Sequence, residues 1–241
     1  MKIEKCGSYE DLSWNAKDII ISEIEKKPNL FLCAATGKSP TGTYNLLSNE
    51  YQKRPKLFDQ LKVIKLDEWG GIPMNHPSTC ETYLQLHLIQ PLNIPQSRYL
   101  GFSSNPEDPQ KECIRIQNLL DKTGPIDLCI LGIGTNGHLA LNEPNQFLQP
   151  NSHVVKLLAK TLEHEMLREI PEKPSYGLTL GMADIMNSKM ILLLINGSNK
   201  TGIVKKFLTK RITSLLPASF LWLHPNVVCL IDKEVLDETF I

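Results

Sequence analysis

The sequence predicts an α/β protein whose parallel sheet is covered by helices on both faces. Strand-length apolar runs alternate with stretches of helical period, and most of these runs are nearly continuously apolar, as in strands buried on both sides. Two of the runs pass through a polar turn directly into a helix. Open parallel sheets bind anions with that unit, because free N–H groups and the helix dipole face the turn. Over 241 residues there is no internal repeat, low-complexity tract or clear linker, so one domain spanning residues 1–241 is expected.

Each element has its own signal. Residues 9–27 place Leu12, Ala16, Ile19, Ile20 and Ile24 at helical spacing, and NLFLCAA at 29–35 reads as a strand. The turn TGKSPTGTY at 36–44 leads into a helical pattern to about Gln52, with Pro40 suited to a first turn. Residues 61–66 form another apolar run that ends in Asp67-Glu68-Trp69-Gly70-Gly71. Ser78 and Glu81 have capping-box spacing at the head of a helix to about Ile89. A short strand at 98–102 and a helix at 109–121 follow, and Thr123-Gly124-Pro125 feeds a central strand at 126–131. Further on come a short helix at 162–169, a strand at 176–181, a helical turn at 183–187 and a strand at 190–195. NGSNK at 196–200 opens a helical pattern to Phe207, residues 216–224 read mainly as core, and 227–231 is the last strand.

Composition removes several classes of function. Lys and Arg number 26 against 26 Asp and Glu, which gives no electrostatic case for nucleic acid or an anionic membrane. No apolar run approaches the roughly 20 residues of a membrane span, and the N-terminus has no signal-peptide core. Six scattered cysteines without a C-x-x-C pair read as small core residues in a reducing compartment. A cytoplasmic protein is expected.

The stretch LGIGTNGHLALNEP at 131–144 organises the rest. Its strand runs into three glycines, followed by His138 and Glu143; glycines permit close backbone approach, and an imidazole moves protons near neutral pH. Gly132, Gly134 and Gly137 match the dinucleotide pattern G-x-G-x-x-G, but the acidic residue needed about 20 positions later is absent from 151–156. Gly37-Lys38-Ser39 likewise resembles a P-loop that lacks its first glycine, Leu32 standing there.

Three strand-end loops therefore carry the chemistry. The turn at 36–39 and Lys200 can hold a phosphate monoester. Successive strand residues face opposite ways, so at most one of Asp67 and Glu68 faces a given pocket. His138 and Glu143 lie on the third loop. No Cys/His/Asp cluster has metal-ligand spacing, and neither a metal nor a cofactor is expected. The set suits acid–base chemistry on a small phosphorylated metabolite, such as sugar-phosphate isomerisation.

KLDEW at 65–69, NGHLALNEP at 136–144 and LHP at 223–225 resemble the glucosamine-6-phosphate deaminase family over nearly the whole chain. TCETYL at 79–84, HEML at 164–167 and PASFLWLH at 217–224 resemble its bacterial galactosamine-6-phosphate isomerase/deaminase branch. The resemblance implies a three-layer α/β/α fold with a Rossmann-like sheet. It also implies metal-free conversion of a 2-amino-2-deoxyhexose 6-phosphate into the ketose phosphate and ammonia, with galactosamine 6-phosphate favoured. By the same resemblance Asp67 is the C2/C1 proton carrier, His138 opens the ring, and Glu143 and Asn136 support the imidazole. Thr36, Gly37, Lys38, Ser39, Gly137 and Lys200 would bind substrate or phosphate, and His164 or Arg168 would stand for the family's phosphate arginine.

Asn136 replaces the aspartate of the glucosamine enzymes; an amide can orient an imidazole but cannot balance its positive charge. The chain stops soon after Leu236, so the allosteric extension of hexameric relatives, and regulation through it, are not expected; a monomer or small homo-oligomer is. The alternatives are a glucosamine-6-phosphate deaminase, a 6-phosphogluconolactonase, or a non-catalytic sugar-phosphate sensor.

Overall fold

The parallel sheet is built from the most apolar segments of the chain. In this computed structural model, which describes residues 1–168, 170 and 173–236, those segments are β2 (Phe31–Ala34), β3 (Lys62–Lys65), β6 (Leu128–Gly132), β9 (Met190–Ile195) and β10 (Val227–Asp232). Two edge strands, β1 (Lys2–Cys6) and β5 (Tyr99–Leu100), complete a sheet ordered β1-β10-β9-β6-β2-β3-β5, parallel throughout. Consecutive side chains Leu192, Leu193 and Leu194 are all fully buried, which a strand achieves only when both sheet faces are covered. Helices α1 (Tyr9–Lys26), α2 (Lys38–Lys53), α4 (Pro109–Thr123) and α7 (Thr201–Leu208) occupy the expected crossovers. The expected α/β fold with a mainly parallel sheet is present.

From β2 the chain moves to β3 and then β5 on one side; from β6 it moves to β9 and then β10 on the other. The adjacent strands β2 and β6 therefore form the switch point of the sheet, and the crevice beyond their carboxyl ends is where open α/β sheets bind ligands.

The structure also contains a second sheet. Strands β4 (Asp67–Gly70), β8 (Tyr176–Thr179) and β7 (His153–Val155) pair antiparallel in the order β4-β8-β7, with Asp67 opposite Thr179. Residues 67–70, expected to be a loop, are a strand whose partner lies more than a hundred residues away. Strand β1 was also missed, because its alternating charges mark it as an exposed edge.

Smaller corrections have local causes. Ser78 and Glu81 form no capping box: Thr79 is the N-cap of α3 (Cys80–Leu84), its hydroxyl accepting from Thr82 N at 3.1 Å, while Glu81 turns to Lys65. The helix expected at 162–169 is instead α5 (Ala159–Leu162) followed by a 3-10 turn, Glu165–Leu167, with Glu169 outside the described residues. In the 216–224 segment Leu216, Ala218 and Leu221 are core, but Leu223 is 62% exposed.

Candidate active site

A cleft of about 610 Å³ opens beyond the carboxyl ends of β2, β6 and β9, at the switch point. Its walls include residues 36–39, Asp67, Trp69, 132–135, His138, 163–165, Arg168 and 196–200.

The turn after β2 leaves a helix start without a side-chain cap. Gly37, with φ +99°, is the N-cap of α2 and has no side chain to cap it; a residue with a Cβ would be strained there. First-turn amides of the 16-residue helix thus lack a side-chain acceptor, the usual state of an anion site. Lys200 reaches the same place from the turn after β9, its Nζ donating to Ser39 Oγ at 3.4 Å, and Ser39 donates to Asn196 Oδ1. Burial pulls the Lys200 amine down to about 8, with Glu165 acting weakly the other way. Lys38 lies outward, 77% exposed and 2.5 Å from Glu165.

The alternation expected at 67–68 holds. Asp67 lines the cleft, whereas Glu68 is fully buried and accepts from Trp69 N, Cys80 N and Glu81 N, each at 2.8 Å, and from Lys65 Nζ at 2.7 Å. Lys65 also donates to Glu81 at 2.7 Å. Burial alone would lower the Lys65 amine, but the two glutamates hold it above its ordinary value. Asp67 receives one weak bond, from Cys80 Sγ at 3.9 Å. Its carboxyl rises to about 7, first through burial and then through Glu68, against the pull of His138, Lys65 and the thiol. A carboxyl that titrates near neutrality is suited to taking and returning a proton.

The third loop folds back on itself. Asn142 N bonds Leu139 O at 2.9 Å, and Ala140 takes a left-handed φ of 54° within that turn. Glu143 is thereby returned to His138, with Oε2 3.3 Å from Nδ1. The other oxygen of Glu143 accepts from Thr161, and Asn136 Nδ2 donates to Oε2 at 2.8 Å. Burial would raise the Glu143 carboxyl, yet the contacts with His138, Thr161 and Asn136 hold it below its ordinary value. With Nδ1 on Glu143, His138 Nε2 lies over Gly134, where a Cβ would come within 2.3 Å of it.

Two sequence-based placements change. Gly137 is not on the cleft wall: with φ +91° it faces the core, where a Cβ would come within 2.2 Å of Leu216. The Asn136 side chain bonds Glu143 and not the imidazole, and it accepts from the His138 backbone N–H at 3.1 Å. His164 and Arg168 both line the cleft, Arg168 from an exposed position. His164 packs against Trp69 at 5.7 Å between ring centroids, and its Nδ1 accepts from Met166 N. Its proton in the neutral form is therefore on Nε2, 3.8 Å from the Cβ position of Gly37. Burial lowers this imidazole, opposed by Glu165 and aided by His138, Lys200 and Lys38, which favours a neutral donor.

Thr161, Trp69 and Cys80 were missed as members of the site. Thr161 has no local signal in the sequence, and Cys80 carries only that of a core residue. Among the described residues no three His, Cys, Asp or Glu side chains are grouped as a metal site.

Fold and cleft together define an α/β enzyme with acid–base groups at the switch point of its sheet. The family model for glucosamine-6-phosphate isomerases/6-phosphogluconolactonase matches residues 10–229, and the chain belongs to that family. AgaI of Escherichia coli (strain K12), which carries the name of a deaminase, is 42% identical over 95% of this chain and 91% of its own. Glucosamine-6-phosphate deaminase 1 of Bacillus subtilis (strain 168) is 36% identical over 97% and 98%. The structure of a monomeric glucosamine-6-phosphate deaminase superposes with a TM-score of 0.93 at 36% identity, covering 98% of each chain. A 6-phosphogluconolactonase from Trypanosoma cruzi shares the fold, with a TM-score of 0.81 at 19% identity over 97% of this chain and 95% of its own.

Proposed function

We infer that the enzyme isomerises and deaminates an amino sugar phosphate, galactosamine 6-phosphate by preference, to give tagatose 6-phosphate and ammonia. One observation carries the reading: Asp67 and His138 line the same cleft as the uncapped start of α2 and Lys200. The phosphoryl group seats on the α2 amides, Ser39 and Lys200, with His164 Nε2 and Arg168 closing over it. His138, held by Glu143, transfers the proton that opens the pyranose ring. Asp67 removes the proton from C2 of the open aldose and returns it to C1, leaving an imine at C2. Water adds to that carbon and ammonia departs, so carbon, nitrogen and protons balance.

The galacto preference rests on Asn136 and on the branch-type segments at 79–84, 164–167 and 217–224. A glucosamine substrate is the second reading, supported by the names of the Bacillus relative and of the superposed structure. Ammonia release from the two epimers decides between them: kcat/KM at least about tenfold higher for galactosamine 6-phosphate is expected, equivalent to about 1.4 kcal/mol of transition-state binding. A ratio favouring the gluco epimer overturns the preference, and ammonia from neither overturns the activity.

A further inference from the structure

We propose that Cys80 is a positioning residue for Asp67, its thiol fixing the orientation and proton affinity of that carboxylate from the side of the phosphate turn. The inference rests on Asp67 as the base and goes beyond it, to a residue outside the acid–base set.

Cys80 opens α3 and is 1% exposed. It holds both acids of β4: its N–H donates to Glu68 at 2.8 Å and its Sγ lies 3.9 Å from Asp67 Oδ1. On the other side Thr36 Oγ1 donates to the same sulfur at 3.4 Å. Because the sulfur accepts from Thr36, its own proton is left for Asp67. A chain of hydroxyl, thiol and carboxylate thus joins the wall of the phosphate turn to the base, and each bond polarises the next.

The other groups around Asp67 set the scale of the effect. Glu68 on the same strand raises its proton affinity, and Lys65 on β3 and His138 after β6 lower it. Cys33 on β2 and Tyr44 on α2 also sense Asp67, and burial keeps both protonated well above their ordinary range. A thiol is a weak donor, so its removal should move the balance modestly and in a known direction. A bond to the charged form favours that form, and without it Asp67 holds its proton more tightly.

The test uses Cys80→Ala and Cys80→Ser. Carbon-13 NMR of the aspartate carboxyl carbons, with the Asp67 signal assigned by its loss in Asp67→Asn, gives the titration midpoint of Asp67. Ammonia release across pH gives the acid limb of kcat/KM. Cys80→Ala should raise the midpoint by about half a pH unit and carry the acid limb with it, while KM changes less than about twofold. Cys80→Ser, similar in shape and a stronger donor, should leave the midpoint at or below that of the wild type. Midpoints unmoved in both variants, or lowered in Cys80→Ala, overturn the proposal. A midpoint that moves while the rate profile stays still upholds the contact and instead removes Asp67 from the role of base.

Discussion

At the scale of single residues, the amide at position 136 stands where the family resemblance implies an aspartate. Its Nδ2 donates to Glu143 Oε2 at 2.8 Å, and an aspartate in the same place would set two carboxylates against each other. Asn136→Asp should therefore raise the Glu143 carboxyl, loosen its grip on Nδ1 and shift the pH profile of kcat. A superimposable profile would make the amide a purely structural choice. Lys200 gives a second pH signature. Its amine loses charge above about 8, so KM should rise above that pH, and Lys200→Ala should raise KM and remove that rise. Unchanged substrate affinity in that variant would place the phosphate elsewhere. Part of this was legible in the sequence: alternation said that at most one of Asp67 and Glu68 faces a given pocket, and the family resemblance chose Asp67. The sequence could not separate Gly134 from Gly137: both are glycines of one loop, and only the folded backbone puts the imidazole over one and Leu216 over the other.

At the scale of elements, the loop after β6 is thin where the imidazole lies. Three ring atoms of His138 lie within 2.3–2.5 Å of the Cβ position of Gly134. Gly134→Ala should displace the ring and cut kcat by about a hundredfold, the usual cost of misplacing a reacting group by an ångström. The midpoint of thermal unfolding should stay near that of the wild type; a variant with full kcat would detach the imidazole from the rate-limiting chemistry. The elements the sequence hid are β1, β4 and β7. Long apolar runs announce buried parallel strands, but four polar-looking residues such as Asp67–Gly70 become a strand only through β8, and distant pairing leaves no mark in local composition. Asp67 thus belongs to the small antiparallel sheet, whereas His138 and the turn at 36–39 follow strands of the large parallel one.

For the whole molecule, the buried acid is a burden on stability. Asp67 holds its proton up to about 7 when folded against an ordinary value of 3.8. The folded state therefore binds more protons between those limits, so this group's contribution is most favourable at low pH and declines as pH climbs from about 4 to 7. The loss is on the order of 4 kcal/mol and levels off above the folded value. Asp67→Asn should raise the unfolding temperature at pH 8, leave it nearly unchanged at pH 4, and abolish turnover. Equal shifts at both pH values would mean that the carboxyl is not buried as a neutral acid. The interior also holds six free thiols, from Cys6 on the outer strand of the large sheet to Cys33 and Cys129 side by side at its centre, with Cys80 in the satellite cluster that contains Trp69. Every one is buried, so a thiol-specific chromogenic reagent reacts with each mainly when its neighbourhood opens. Colour should develop first from Cys6 and last from the central pair, which makes the enzyme a recorder of its own breathing.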